Sequence, residues 1–251
     1  MILYEHPFNE RIRYMIRLEY LFQQLLTFSK SPSAEGLHVA FAILFQIMDV
    51  CDRGDCRNWV LQEIEKQKAS LESYRTFPDI DEQVLNATIQ KLNQVSQQLA
   101  SARKPGSHIR ENEWLLSLKN RFLTPGSTSA MDIPSYTAWL NGNHQDCLHI
   151  FHQLIVPFMP LYNAVSQALS VIREAAIPHM ESSKTNGFFE KNIGGRIYQM
   201  ARIWLSANQR IYPEISANKH VVMIRFFRIN DHFKQILMTE PIGFKIALCQ
   251  I

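Results

Sequence analysis

The sequence predicts an α+β fold, with a helical domain of long antiparallel helices and a smaller, mostly antiparallel β domain. Three observations carry this prediction. Up to Phe122 the apolar residues recur three and four apart, the spacing of helices with one buried face. Beyond Pro178 the pattern changes to aromatic and β-branched segments separated by Gly and Asn turns. Helices gathered in one run and strands in another favour α+β layers over an alternating parallel sheet.

Asn9 or His6 caps a first helix that enters through Pro7, a residue tolerated in a first turn. Tyr14, Met15, Leu18, Leu21, Phe22, Leu25 and Leu26 make its apolar arc. Thr27 to Gly36 is a loop by its Ser, Pro and Gly content. A second helix, Leu37 to Cys51, stops near Gly54, which suits a left-handed C-terminal cap. Asp55 caps a third helix with Val60, Ile64, Leu71 and Tyr74 inward, and Phe77-Pro78 ends it. The next helix repeats Leu85, Leu92 and Leu99 seven apart, with Thr88 and Val95 between them. Paired with its predecessor it makes an antiparallel hairpin within the chain, since too few heptads are sustained for a dimeric coiled coil.

A fifth helix after Pro105-Gly106 carries Ile109, Trp114, Leu115, Leu118 and Phe122. Thr124 to Ser135 is rich in turn residues, and Tyr136 to Leu140 reads as a short strand. Helical spacing returns from Asp146 to Ala176, where Pro157 and Pro160 force a break or kink. Strands follow at Gly187 to Lys191, Ile197 to Ser206, Lys219 to Ile229 and Phe244 to Cys249. The expected domains are therefore residues 1–123 joined by 146–177, and a β domain of 124–145 with 178–251.

A composition of 46% hydrophobic and 20% charged residues is globular, neither fibrous nor disordered. The net charge of +3 is too mild for bulk nucleic-acid binding, though it leaves room for local basic patches. Cys51, Cys56, Cys147 and Cys249 show no disulfide framework, and Cys51 reads as a helix-end packing residue. The N-terminus lacks the basic start and apolar run of a signal peptide. The apolar run Val39 to Phe45 is far below the ~20 residues of a membrane span, so a cytoplasmic protein without membrane contact is expected.

Catalytic chemistry is not legible. His144, Cys147, His149 and His152 make a metal-like cluster, but no second ligand pair stands at zinc-site spacing. Asn192 to Arg196 contains two glycines, yet a strand-like run follows it where a phosphate loop needs a helix, so it reads as a hairpin turn. Asp132 and Glu240 sit beside prolines as turn residues. No catalytic residue, metal or cofactor is expected, and an enzyme ranks last among the readings.

Basic residues stand out instead. The run Leu205 to Phe227 is strand-forming, with Val222, Ile224 and Phe226 on one face and Val221, Met223, Arg225 and Phe227 on the other. An arginine among Val, Met and Phe is either a solvent-side edge or an anion site. Arg13 and Arg17 lie four apart on the outward flank of the first helix, where Glu10 can also pair with Arg13. Arg53 and Arg57 bracket a turn, and Arg202, Lys219 and Arg225 come from the sheet-forming region. Each alone reads as a solvated charge; only their convergence makes a site.

The opening YEHPFNERIRYMIRLEYL, the DVCDRGDCR turn, TNGFFEKN, RIYPEISANKHVVMIRFF and the terminal FKIALC, in this order, resemble the ZapD family of cell-division proteins. The resemblance runs from Tyr4 to Cys249. It implies a non-enzymatic homodimer with a helical and a β domain, which binds the C-terminal tail of the tubulin-like protein FtsZ. Such a dimer cross-links and bundles FtsZ filaments at the mid-cell division ring. By motif position the resemblance assigns tail binding to Arg13, Arg17, Arg53, Arg57, Arg202, Lys219 and Arg225. The chain departs from the family pattern at Val221-Val222, which follow His220 where a basic-aromatic pair fits better. The rival reading is a nucleic-acid-binding module using the same arginines with Trp204, Phe226 and Phe227, although no RNA- or DNA-binding signature is present.

Overall fold

The computed structural model describes residues 1–251, with the side chain of Gln209 excepted. The fold is α+β. It divides into two compact units, Tyr14–Ala168 and a second made of Met1–Arg13 with Leu169–Ile251. The division thus differs from the expected boundaries at 123, 145 and 177. Both ends of the chain join the sheet unit, and the segment 124–145 joins the helical one.

The helices are α1 (Glu10–Phe28), α2 (Ala34–Asp52), α3 (Cys56–Ser73), α4 (Glu82–Ser101), α5 (Ser107–Arg110), α6 (Glu113–Phe122), α7 (Pro134–Leu140), α8 (His144–Ile155) and α9 (Met159–Glu174). In the helical unit α2 is the apolar hub. Leu37, Ala40, Phe41, Leu44 and Ile47 are fully buried along it, and Phe41 meets Phe151 edge-on at 4.6 Å between ring centres. By length and composition α2 is apolar enough to cross a bilayer, yet more than half of it is buried inside the protein. It begins earlier than the expected Leu37, because the Ser33 side chain accepts from the Gly36 N–H as an N-cap.

Gly54 does not form the expected left-handed cap; the helix ends through Arg53 at φ −71°. Glycine is needed there for space, since a Cβ would run into the Trp59 ring. Asp55 does cap α3, accepting from Asn58 N at 3.3 Å. The predicted α3–α4 hairpin is present, with Val60 and Ile64 of α3 and Leu85, Ile89, Leu92 and Leu99 of α4 all buried. The proline-rich break is a single 3-10 turn, Val156–Phe158, between α8 and α9.

The expected strand at Tyr136 to Leu140 is the helix α7. Pro134 sits in its first turn, where a missing N–H is no loss. Tyr136 is buried beside Phe41 and shares a 3.1 Å hydrogen bond with His38 Nδ1. This aromatic packing holds a seven-residue helix that is too short to be stable alone. Two residues of the metal-like cluster serve the loop between α1 and α2: His144 Nε2 donates to the Ser31 carbonyl and His152 Nε2 to that of Ser29, each at 3.1 Å.

The sheet unit contains β1 (Ile2–Pro7), β2 (His179–Ser182), β3 (Phe188–Asn192), β4 (Met200–Leu205), β5 (Ile211–Ala217), β6 (Val221–Ile229), β7 (Gln235–Leu237) and β8 (Gly243–Cys249). Its first sheet has the order β1-β4-β8-β2; the second has β3-β6-β5, with β7 also on β6. All pairings are antiparallel. One core joins the sheets: Ile203, Leu205, Phe244 and Ile246 from the first, Phe189, Val222, Ile224 and Phe226 from the second. That arrangement makes a sandwich of two inner faces.

β1 was not foreseen. Pro7 ends this strand instead of opening the first helix, and Asn9 alone provides the cap, accepting from Ile12 N at 2.9 Å. Asn192 to Arg196 is a turn, with Gly194 and Gly195 at φ 60° and 76°. It carries the chain from the second sheet to the first, so it is not a hairpin turn.

Candidate functional site

In the helical unit the candidates centre on the turn between α2 and α3. Its two acids are already engaged. Asp52 is paired with Arg110, and Asp55 binds both the backbone and the side chain of Asn58. Arg53, exposed at the end of α2, has no hydrogen bond or ion pair among the described residues. Arg57 donates through Nη2 to the Ala100 carbonyl near the end of α4, which braces the start of α3. Beside it is an open cavity of about 600 Å³, lined by Asp55, Arg57, Asn58 and Lys104 among others. Arg17 is exposed on α1, opposite the buried Met15, Leu18 and Phe22.

Arg13 lies in the part of α1 that belongs to the sheet unit. Its Nε is 3.4 Å from Glu10 Oε1, the pairing expected at this spacing. Burial first, and the Arg13 charge second, hold the His6 imidazole below its ordinary pKa.

On the second sheet the predicted alternation is present: Val222, Ile224 and Phe226 are fully buried, while Arg225 is exposed on the outer face. Strand register places Phe188 of β3 and Glu214 of β5 on either side of Arg225. These residues, with Ile215, Ser216 and Met223, line a cavity of about 350 Å³. Glu214 accepts from Gln235 Nε2, and no ion pair to Arg225 is present among the described residues. Arg225 therefore lies on an open face between Phe188 and Glu214, beside Met223, without an ion pair among the described residues. Lys219 is also exposed, though in the turn before β6 and not in the strand. There the Asn218 side chain accepts from His220 N at 2.8 Å and Val221 N at 3.0 Å.

Arg202 is placed differently. Its Nε donates to Glu5 Oε1 at 3.0 Å and its Nη1 to the Arg173 carbonyl, while its guanidinium lies 4.9 Å from the Trp204 ring centre. Arg173 grips the same carboxylate with two hydrogen bonds. Since Ile203 and Leu205 face the shared core, alternation puts Arg202 on the outer face of the first sheet. Arg225 lies on the outer face of the second, so the sandwich separates these two arginines. Lys219 and Arg225 share one hairpin, and Arg53 and Arg57 share one turn.

Arg210 and Phe233 were missed by sequence reasoning. Both adopt positive φ, 52° and 57°, and with Tyr212 and Ile229 they line a further cavity of about 470 Å³ on the second sheet. A phenylalanine inside the polar run Asn230 to Lys234 was the available signal, and it is 91% exposed.

The chain is similar to known proteins over its whole length. The family model described as ZapD, cell division protein, matches residues 16–225. A protein of Dechloromonas aromatica named Cell division protein ZapD is 37% identical over 253 residues, covering all of both chains. One of the same name from Bordetella petrii is 36% identical over 249 residues, 99% of each chain. Its counterpart from Azoarcus is 33% identical over 252 residues and the whole of both chains.

Proposed function

The chain belongs to the ZapD family of cell-division proteins, and from that premise we propose that it is a non-enzymatic, dimeric cross-linker of FtsZ filaments. It binds the C-terminal tail of FtsZ in the cytoplasm at the mid-cell ring, without cofactor or metal. The observation that carries this reading is Arg225, exposed and unpaired among the described residues between Phe188, Met223 and Ile215. A tail with acidic and apolar residues can place a carboxylate on the guanidinium and its apolar side chains on the surrounding sheet. Arg53 offers a second charge of the same kind at the α2–α3 turn, with Arg13, Arg17, Arg57, Lys219 and Arg202 as further candidates. Arg202 enters this set with its charge already matched by Glu5.

Each exposed ion pair contributes only ~0.2–1 kcal/mol, so a single tail contact is weak. A dimer presenting two sites to a filament with many tails gains through effective concentration. Co-sedimentation with FtsZ polymers tests the reading. The wild-type protein pellets with intact FtsZ, less as salt rises, and not with tail-deleted FtsZ. Unchanged pelleting of the Arg53→Glu, Arg225→Glu double variant would sink the site assignment. Binding to single-stranded RNA in place of FtsZ would favour a nucleic-acid module.

A further inference from the structure

The α2–α3 turn holds two cysteines that the proposed binding chemistry does not use. Cys51 lies in the last turn of α2 and Cys56 is the first residue of α3. Both are free and nearly buried, at 6% and 5% exposure. Both line the open cavity of about 600 Å³ that also carries Arg57 and Lys104. Only Arg53, Gly54 and Asp55 separate the two helices, and the Cys56 N–H closes a tight turn onto the Gly54 carbonyl at 2.9 Å. Cys147 and Cys249 offer no comparable pair: Cys147 donates to the Trp139 carbonyl at 3.0 Å, and Cys249 lies in the other unit.

We propose that Cys51 and Cys56 form a redox-modifiable dithiol, which hydrogen peroxide oxidises to an intramolecular disulfide at the base of the Arg53 turn. The site divides the labour between the thiols. Cys56 is shifted downward from the ordinary thiol value, first by its interaction with Cys51 and also by the Arg57 backbone N–H at the start of α3, against burial and the Asp55 and Asp52 charges. Cys51 is shifted upward, first by the same interaction and then by burial. Cys56, at the start of α3, is assigned as the attacking thiol and Cys51 as the resolving one.

The step balances. The Cys56 sulfur takes one peroxide oxygen as the O–O bond breaks, giving a sulfenic acid, and the other oxygen leaves as water. The Cys51 sulfur then attacks the sulfenic sulfur, forming the S–S bond and releasing the second water. Two thiols lose two electrons and two protons, and one peroxide becomes two waters. Disulfides of this kind in reducing compartments are transient and regulatory. The bond ties the end of α2 to the start of α3 across Asp52 to Asp55, which restrains the approach of Arg53 to a partner carboxylate. This consequence rests on the proposed tail-binding role of the turn; the disulfide itself does not.

Trypsin cleaves after Arg53, so Cys51 and Cys56 fall on separate fragments that only a disulfide holds together. The full-length protein is treated with hydrogen peroxide, alkylated, digested and mapped by mass spectrometry with and without reductant. A linked pair that separates on reduction, lighter by two hydrogens, is the expected result. In Cys51→Ser, dimedone captures a sulfenic acid on Cys56; in Cys56→Ser, Cys51 stays unmodified. Two alkylated thiols after peroxide treatment of folded wild-type protein overturn the inference. The oxidised protein is then titrated with an FtsZ tail peptide, with affinity expected to fall threefold or more and to recover with reductant. Unchanged affinity in a fully linked protein overturns the coupling to Arg53. Reduced protein indifferent to Arg53→Glu counts against the turn's part in tail binding and leaves the disulfide standing.

Discussion

The two sheets of the β unit each place an arginine directly opposite a glutamate, and the outcomes differ. On the first sheet Arg202 faces Glu5, with the ion pair closed at 3.0 Å and both side chains largely buried. On the second Arg225 faces Glu214, the arginine is exposed, and the glutamate binds Gln235 instead. Register is therefore not enough to make an ion pair. Arg173, from the last turn of α9, reaches the first sheet and holds Glu5 from a second side, so one carboxylate serves two cations. Glu214 is held by the Gln235 amide and, among the described residues, by no second cation that would turn it toward Arg225, and in high dielectric a single exposed pair gains too little to order two long side chains. A charge surrounded by its own partners is structural; a charge left over apolar surface is available to another molecule.

The largest effect that sharpens this contrast is expected from Glu5→Ala. It leaves Arg173 and Arg202 partly buried without their counter-charge and costs about 3 kcal/mol, read as a lower midpoint in chemical denaturation. Arg225→Glu reverses the pattern. Stability stays within about 0.5 kcal/mol of wild type, while affinity for the FtsZ tail, measured by titration calorimetry, falls about tenfold, or ~1.4 kcal/mol.

A pH dependence belongs to the first sheet through His6 on β1. Its folded-state pKa is lowered by burial and Arg13. The group therefore leaves stability intact above the unfolded histidine pKa of about 6.5. As pH falls below that value the unfolded chain takes up the proton first, and stability is lost down through the folded pKa. His6→Gln removes this contribution, so its denaturation midpoint declines less than that of wild type between about pH 7 and about pH 5. The smallest effect is that of Glu214→Ala. It removes a negative charge beside Arg225 and strengthens tail binding about twofold, with stability unchanged within about 0.5 kcal/mol. A loss of stability as large as that of Glu5→Ala would break the comparison.

Much of the fold was legible because local rules and burial agree. The α2 and α4 faces, the Asp55 cap, the proline break before α9 and the inward Val222, Ile224 and Phe226 all follow from spacing and residue type. Failures came where long-range contacts decide. Residues Tyr136 to Leu140 have the aromatic content of a strand, but packing on Phe41 and the hydrogen bond with His38 select a helix. β1 has weak strand character of its own and takes its form from pairing with β4, some 200 residues away. His144 and His152 resembled ligands because sequence shows a nitrogen but not the Ser29 and Ser31 carbonyls that it binds.

The candidate site divides in the same way. The sequence alone determined which residues are cationic, that Arg225 shares a strand face with Met223 and Phe227, and that Arg53 sits in a turn. Those properties depend on side-chain chemistry and on periodicities of two and 3.6 residues. Only the tertiary structure decided which arginines are already paired. It withdrew Arg202 to Glu5, braced Arg57 against the Ala100 carbonyl and left Arg53 and Arg225 exposed. The physical reason is that a charge is neutralised by whatever folding brings within a few ångströms, and for Arg202 that partner lies 197 residues away in the chain.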